Sequence, residues 1–196
     1  FLPAFDAADL GFRAGNPVSE AVAVLGGGPY SYFRYETHLA ALNAAKVFSE
    51  VTSEYESTFG RAYAPVQCHR SEDAEMIFVM IGSFATKAVD AVDRLRAQGR
   101  KVGLVRPFML RPFPADALRS ALAGKKAVAV IDQNISVGSG GVLATEIKAA
   151  LYGQPDAPQT IAGYIGGLGG RDITYEEFSA IAQETMAAAE AGRIPD

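Results

Sequence analysis

Met76-Ile77-Phe78-Val79-Met80-Ile81 is a run of six apolar residues with no polar residue among them. A strand with one wet face alternates apolar and polar residues, whereas a strand covered on both faces does not. The run therefore predicts a strand buried between layers. Gly82 ends it, and Ala85, Val89, Val92 and Leu95 then recur at helical spacing up to Gly99. The same unit returns downstream. Val102-Gly103-Leu104-Val105 predicts a second strand, and Pro114 to Leu122 a short helix stopped by Gly124. Ala127-Val128-Ala129-Val130-Ile131 predicts a third strand, followed by a helix marked by Leu143, Ile147, Ala150 and Leu151. Thr160-Ile161-Ala162-Gly163-Tyr164-Ile165 is a weaker strand ahead of a last helix, whose buried face is Phe178, Ile181, Ala182 and Met186. Thr174 and Glu177 have the spacing of a capping box at its start. Strand and helix thus alternate four times from Met76 to the end. That predicts an α/β fold, an open and mostly parallel sheet with helices on both faces. In such sheets, ligands and partners meet the loops at the carboxyl ends of the strands.

Upstream the pattern changes. Pro3, Gly11, Gly15, Pro17 and the run Gly26-Gly27-Gly28-Pro29 punctuate the first residues, and 1–31 reads as an extended connector. Tyr35, Leu39, Leu42, Ala45, Phe48, Val51, Tyr55 and Phe59 recur at spacings of three and four, so 32–60 reads as a long helix that Gly60 stops. It would span about 40 Å at 1.5 Å per residue, a length suited to bridging an interface. Gly60 to Glu75 reads as a second connector, and 61–196 as the α/β domain.

Of the 196 residues, 49% are apolar and 20% charged, the balance of a soluble globular protein able to bury a core. A net charge of −4 without any basic run argues against a nucleic-acid partner. No run of about 18 apolar residues is present, so no membrane-spanning helix is expected. The start, Phe1-Leu2-Pro3, has neither Met nor the pattern of a signal peptide, and Phe1 reads as an internal residue of a longer polypeptide. One cysteine, Cys68, excludes an internal disulfide and is consistent with a reducing, cytoplasmic setting. It also excludes an all-cysteine iron–sulfur cluster held by this segment alone. Cys68 and His69 are adjacent, which is poor spacing for two ligands of one metal, and no metal site is expected.

Four loops follow strand ends. In Gly82-Ser83-Phe84, Ser83 either caps a helix or helps present backbone N–H groups to an anion. The run Asp132 to Gly141 has little side-chain bulk and many N–H groups. Ser136, Gly138, Ser139 and Gly140, with Ser83, are its candidates for contact with a phosphate or cofactor, against ordinary turn chemistry. Arg106 to Pro114 is stiffened by prolines, and Arg111 and Phe113 lie either in a docking surface or in a loop packed on the domain. Gly163 to Gly170 holds five glycines and leads to Arg171-Asp172. Those two residues are the last interface candidates, against an ordinary surface ion pair. No nucleophile with a matching base can be read, and Asp73, Asp132 and Asp172 look like ordinary acids.

Taken in order, these segments resemble one family. Arg70-Ser71-Glu72-Asp73-Ala74-Glu75, Met80-Ile81-Gly82-Ser83 and Gln98-Gly99-Arg100-Lys101-Val102-Gly103-Leu104-Val105 look like the C-terminal part of the α subunit of pyruvate:ferredoxin oxidoreductases. So do Leu110-Arg111-Pro112-Phe113-Pro114, Val130 to Ser136 with Gly138-Ser139-Gly140-Gly141, and Gly163 to Thr174. The set runs from about Arg61 to Met186. Where members of the family commonly carry Arg after the Asp of the third strand, this chain has Gln133.

The resemblance implies a transketolase C-terminal-like domain. It implies a complete enzyme that decarboxylates a 2-oxoacid, forms an acyl-CoA and reduces ferredoxin or flavodoxin, or runs in reverse. Thiamine diphosphate, iron–sulfur clusters and CoA would then belong to that complete enzyme, and no cofactor is expected in this chain. The implied partners are the pyrimidine-binding part of the α subunit and a thiamine-diphosphate-binding β subunit. No catalytic residue is carried over, and this segment reads as an assembly module that does not turn over alone. The alternatives are a stand-alone phosphate- or CoA-binding domain, and the same family acting on another 2-oxoacid.

Overall fold

The computed structural model describes Ala4, Asp6, Ala14, Gly15 and residues 27–193. Most of the connector expected over 1–31 therefore lies outside the described residues. The chain divides into two compact units, Phe1–Tyr63 and Ala64–Asp196.

The helix of the first unit, α1 (Gly28–Phe59), is 32 residues long and spans about 48 Å at 1.5 Å per residue. It begins four residues before the expected Tyr32. Gly28 and Pro29 belong to its first turn, where proline's missing N–H has no helical partner to lose. Gly60 ends it in the left-handed conformation, its N–H bonded to the Glu56 carbonyl at 2.8 Å. No residue of α1 is buried, although Tyr32, Tyr35, Leu39 and Leu42 are large and apolar.

The second unit is built on five strands, β1 (Val66–His69), β2 (Met76–Val79), β3 (Val102–Pro107), β4 (Ala127–Asp132) and β5 (Thr160–Ile165). Their order across the sheet is β1-β3-β2-β4-β5. The last four are mutually parallel, and β1 runs antiparallel to β3 on the edge. Every residue of β2 and β4 is buried, as their unbroken apolar runs require.

The strand β1 corrects the expected connector over Gly60 to Glu75. It is short, and its two middle residues, Gln67 and Cys68, are exposed, so it carries no apolar run. An edge strand needs only one neighbour, and main-chain pairing supplies it. Because β1 is there, β3 runs two residues beyond the expected Val105: Gln67 pairs with Arg106 and Val66 with Pro107. Gly103 is required by the same arrangement. A Cβ there would lie 2.7 Å from the Arg70 carbonyl oxygen and 2.9 Å from the Ser71 Cα.

Helices cover both faces. On one, α2 (Phe84–Ala97) and α5 (Tyr175–Glu190) pack on Met76, Phe78, Leu104, Ala129 and Ile131. On the other, α3 (Ala115–Leu122) and α4 (Val142–Leu151) pack on Ile77, Val79, Val105, Val128 and Val130. Alternate residues of one strand thus serve opposite layers. The alanines of β4 face α5 and leave room for Phe178, whose ring meets Phe78 edge-on at 5.6 Å. The expected capping box is formed. Thr174 Oγ1 accepts from Glu177 N at 3.3 Å, and Glu177 Oε2 accepts from Thr174 N at 2.8 Å.

Phe178 is the largest side chain that α5 buries. Truncation leaves a cavity that the surrounding sheet can only partly close. Phe178→Ala is expected to lower stability by about 3–5 kcal/mol, read as a shifted urea midpoint with an unchanged slope.

Candidate functional site: the carboxyl edge of the sheet

Neighbouring strands β2 and β4 send their helices to opposite faces, α2 to one and α4 to the other. Their loops part at the carboxyl end and leave a crevice, the usual place for ligands and partners in such sheets. Gln133 stands in it. A Cβ on Gly82 would lie 3.5 Å from its Oε1, and one on Gly167 3.1 Å from its Nε2. The Gln133 amide therefore sits between the loops that follow β2 and β5.

The loop after β4 is organised by Asp132, which is 1% exposed. Its Oδ1 accepts from Leu143 N and its Oδ2 from Ala144 N, both at 3.0 Å, at the first turn of α4. Asn134 Nδ2 donates to Asp132 Oδ1 at 3.0 Å, and Asn134 Oδ1 accepts from Val142 N at 3.2 Å. The carboxylate thus serves helix N–H groups that have no partner inside the helix. Asp132 corrects the expectation of an ordinary acid. The residue at the cap position is Gly141, which has no side chain to offer. A Cβ at Gly141 would fall inside the Asp132 carboxylate.

The candidates Ser136, Gly138, Ser139 and Gly140 form a turn closed on itself. Ser136 N donates to Gly140 O at 2.8 Å, while Ser139 N and Gly140 N both donate to Ser136 O. The expected supply of free N–H groups is therefore largely committed within the turn. Ser83 corrects a second expectation. It has α-helical angles, φ −69° and ψ −32°, and makes no side-chain cap. A capping hydroxyl reaches back to the helix from an extended residue, which Ser83 is not. Gly82, with φ +72°, makes the turn as expected.

Arg111 holds Glu146 of α4 with two bonds, of 2.7 and 2.5 Å. Phe113 packs on the layer of α3 and α4, and Met109 is buried. This loop therefore packs on the domain at both residues, and Leu110 between them is exposed. A cleft of about 420 Å³ lies beside it, between Gly82-Ser83 and Arg106, Phe108 and Leu110.

Arg171 and Asp172 do not pair with each other. Arg171 Nη2 meets Glu177 Oε1 at 2.7 Å, and Lys87 Nζ meets Asp172 Oδ1, which also accepts from Ile173 N at 2.9 Å. The bond from Lys87 holds the Asp172 carboxyl below the usual aspartate range. On the β1 edge, His69 Nε2 and Arg70 Nε both meet Asp93 Oδ1, at 3.0 and 2.6 Å. Among the described residues, no three His, Cys, Asp or Glu side chains gather as a metal site would need. No helix of the described residues is long and apolar enough to cross a membrane.

Two predictions come from this geometry. Asp132→Ala leaves two buried N–H groups unpaired and is expected to cost about 1–3 kcal/mol. Gly141→Ala, which displaces the same carboxylate, is expected to destabilise as well. In the double variant the small residue at 132 makes room for the new methyl, so the losses should fall short of their sum in a urea double-mutant cycle. The second concerns Asp172. A depressed folded value means that the Lys87 pair contributes fully above the ordinary aspartate value of about 3.9. That contribution is lost as pH falls through the lower folded value. Lys87→Met is expected to bring the Asp172 carboxyl back up, read by NMR titration of its carbonyl carbon.

Comparison with known proteins agrees with the layout. Residues 74–178, more than half of the chain, match the family described as pyruvate:ferredoxin oxidoreductase core domain II. The pyruvate synthase subunit PorA of Pyrococcus abyssi is 37% identical over 165 residues, which are 84% of this chain and 42% of that protein. Among solved structures, 2-oxoglutarate:ferredoxin oxidoreductase from Magnetococcus marinus, with 2-oxoglutarate, coenzyme A and succinyl-CoA bound, superposes with a TM-score of 0.51 at 25% identity. That match covers 63% of this chain and 20% of the other. A split-gene transketolase, an inactive β4 tetramer, shares the fold with a TM-score of 0.50 at 17% identity, over 65% of this chain and 43% of its own. This chain thus spans well under half the length of the curated relative. The fold is the open α/β fold read from the sequence, of the transketolase-like kind that the resemblance implied, and the chain belongs to the pyruvate:ferredoxin oxidoreductase core domain II family.

Proposed function

We propose that this chain is an assembly module of a thiamine-diphosphate-dependent 2-oxoacid:ferredoxin oxidoreductase. The complete enzyme would convert pyruvate and CoA to acetyl-CoA and CO2, passing the electrons to ferredoxin or flavodoxin, or run in reverse. The observation that carries the reading is the family match over 74–178, within a chain that spans 42% of its PorA relative. The site chemistry supports it. The charged and polar groups of the carboxyl edge bind one another rather than converging on a reacting centre. A single cysteine cannot supply the four thiolates of an iron–sulfur cluster, so clusters would lie in other domains or subunits. The partners are the pyrimidine-binding part of the α subunit and the thiamine-diphosphate-binding β subunit, in the cytoplasm. Arg111, Phe113, Arg171 and Asp172 are candidates for these contacts.

A second substrate reading has its own support. The structural neighbour from Magnetococcus marinus acts on 2-oxoglutarate, so the same module serves enzymes for more than one 2-oxoacid. The reading is tested by reconstitution with thiamine diphosphate, CoA, methyl viologen and, in separate assays, pyruvate, 2-oxoglutarate and a branched-chain 2-oxoacid. No turnover is expected from the chain alone, and turnover of pyruvate is expected once the remaining α and β parts are added. Turnover by the chain alone would overturn the module reading. So would equal turnover by the other parts without it.

A further inference from the structure

Seven large apolar side chains among the described residues of the second unit are exposed at the carboxyl end of the sheet. They are Phe108 and Leu110 in the loop after β3, Ile135, Val137 and Val142 between β4 and the first turn of α4, and Ile165 and Leu168 at the end of β5. All follow the carboxyl ends of parallel strands. Val137 is 93% exposed, at the tip of the closed Ser136–Gly140 turn. At the opposite edge, the exposed large apolar side chain among the described residues is Tyr152, just after α4.

We propose that this carboxyl edge is the seat for another folded domain of the same oxidoreductase, from the part of a PorA-type subunit that this chain does not span. The proposal rests on the assembly reading above and adds the surface and its occupant to it. More than half of the PorA relative lies outside the match, so a module of this kind has a large neighbour to meet. Exposed apolar residues beside charged ones are what a protein interface is made of. The charges at this end include the ion pairs Arg111–Glu146, Lys87–Asp172 and Arg171–Glu177. Charges already paired leave few bonds for a ligand to satisfy, while the apolar residues gain from leaving water. Val137 is held out on a turn fixed by its own hydrogen bonds, so little order is lost when it enters a pocket. Of the four residues first singled out as contacts, Arg111, Arg171 and Asp172 are ion-paired and Phe113 packs on the domain, so the exposed apolar residues are the ones left to make the contact.

The probe is the part of Pyrococcus abyssi PorA outside the matched segment, produced as a separate polypeptide and titrated into this chain by calorimetry. Val137→Asp and Leu110→Asp are expected to keep the thermal midpoint of the chain and to weaken binding about tenfold or more. Tyr152→Asp is expected to bind as the unaltered chain does. The proposal is overturned by three results: no binding of the unaltered chain, an equal loss in Tyr152→Asp, or a self-association of the chain that Val137→Asp abolishes. The last would assign the face to a second copy. Reconstituted turnover separates the two levels. If turnover requires the chain while Val137→Asp binds normally, the surface is wrong and the module reading stands. If the chain turns over alone, the module reading itself falls.

Discussion

One buried carboxylate fixes how the second half of this domain is laid out. Asp132 is the last residue of β4, and it takes the N–H groups of Leu143 and Ala144 at the start of α4. A strand end and a helix start are thereby pinned within hydrogen-bond reach of each other. The residues between them cannot run straight across, so Ser136–Gly140 bulges out and closes on itself. Gly141 must lack a side chain because the carboxylate occupies that space. The exposed position of Val137 is thus a consequence of a cap made five residues earlier. A carboxylate at a helix N-terminus is also favoured by the helix dipole, which helps a charged group stay buried here.

The two layers around the sheet depend on unequal side-chain size. β4 presents alanines towards α5 and valines towards α4. The small residues admit Phe178 and its edge-on contact with Phe78, while the branched ones fill the space under α3 and α4. The capping box sets the start of α5 and so the height at which Phe178 enters. Lys87 of α2 bonds to Asp172 ahead of that start, tying the two helices of this face at the carboxyl edge.

What was legible in the sequence was local or fully buried. The run Met76–Ile81 reads as a strand because both its faces are covered, and Thr174 and Glu177 read as a cap because the partners are three residues apart. What was not legible joins distant residues or leaves one face wet. β1 shows no apolar run, because an edge strand is held by main-chain bonds to β3 that no side-chain pattern records. The bonds from Asp132 cross 11 and 12 residues, and Arg111 reaches Glu146 across 35. Ser83 shows the opposite failure. Its residue type is right for a cap, but after the positive φ of Gly82 Ser83 already has α-helical angles, and its hydroxyl makes no cap bond. The family motifs located these loops correctly along the chain, but they carried no information on which groups within them were already bonded.

That internal bonding decides what kind of surface the carboxyl edge presents. An anion site needs N–H groups or cations whose capacity is unfilled. Here three N–H groups of the Ser136–Gly140 turn serve its own carbonyls, and Arg111 and Arg171 each hold a glutamate. A phosphate that replaced any of these bonds with its own would have little net gain in water. An apolar surface arriving there breaks none of them and removes Leu110, Val137 and Leu168 from solvent. The exposed apolar side chains that the fold leaves uncovered at this edge therefore suit a protein contact, in keeping with the assembly role proposed above.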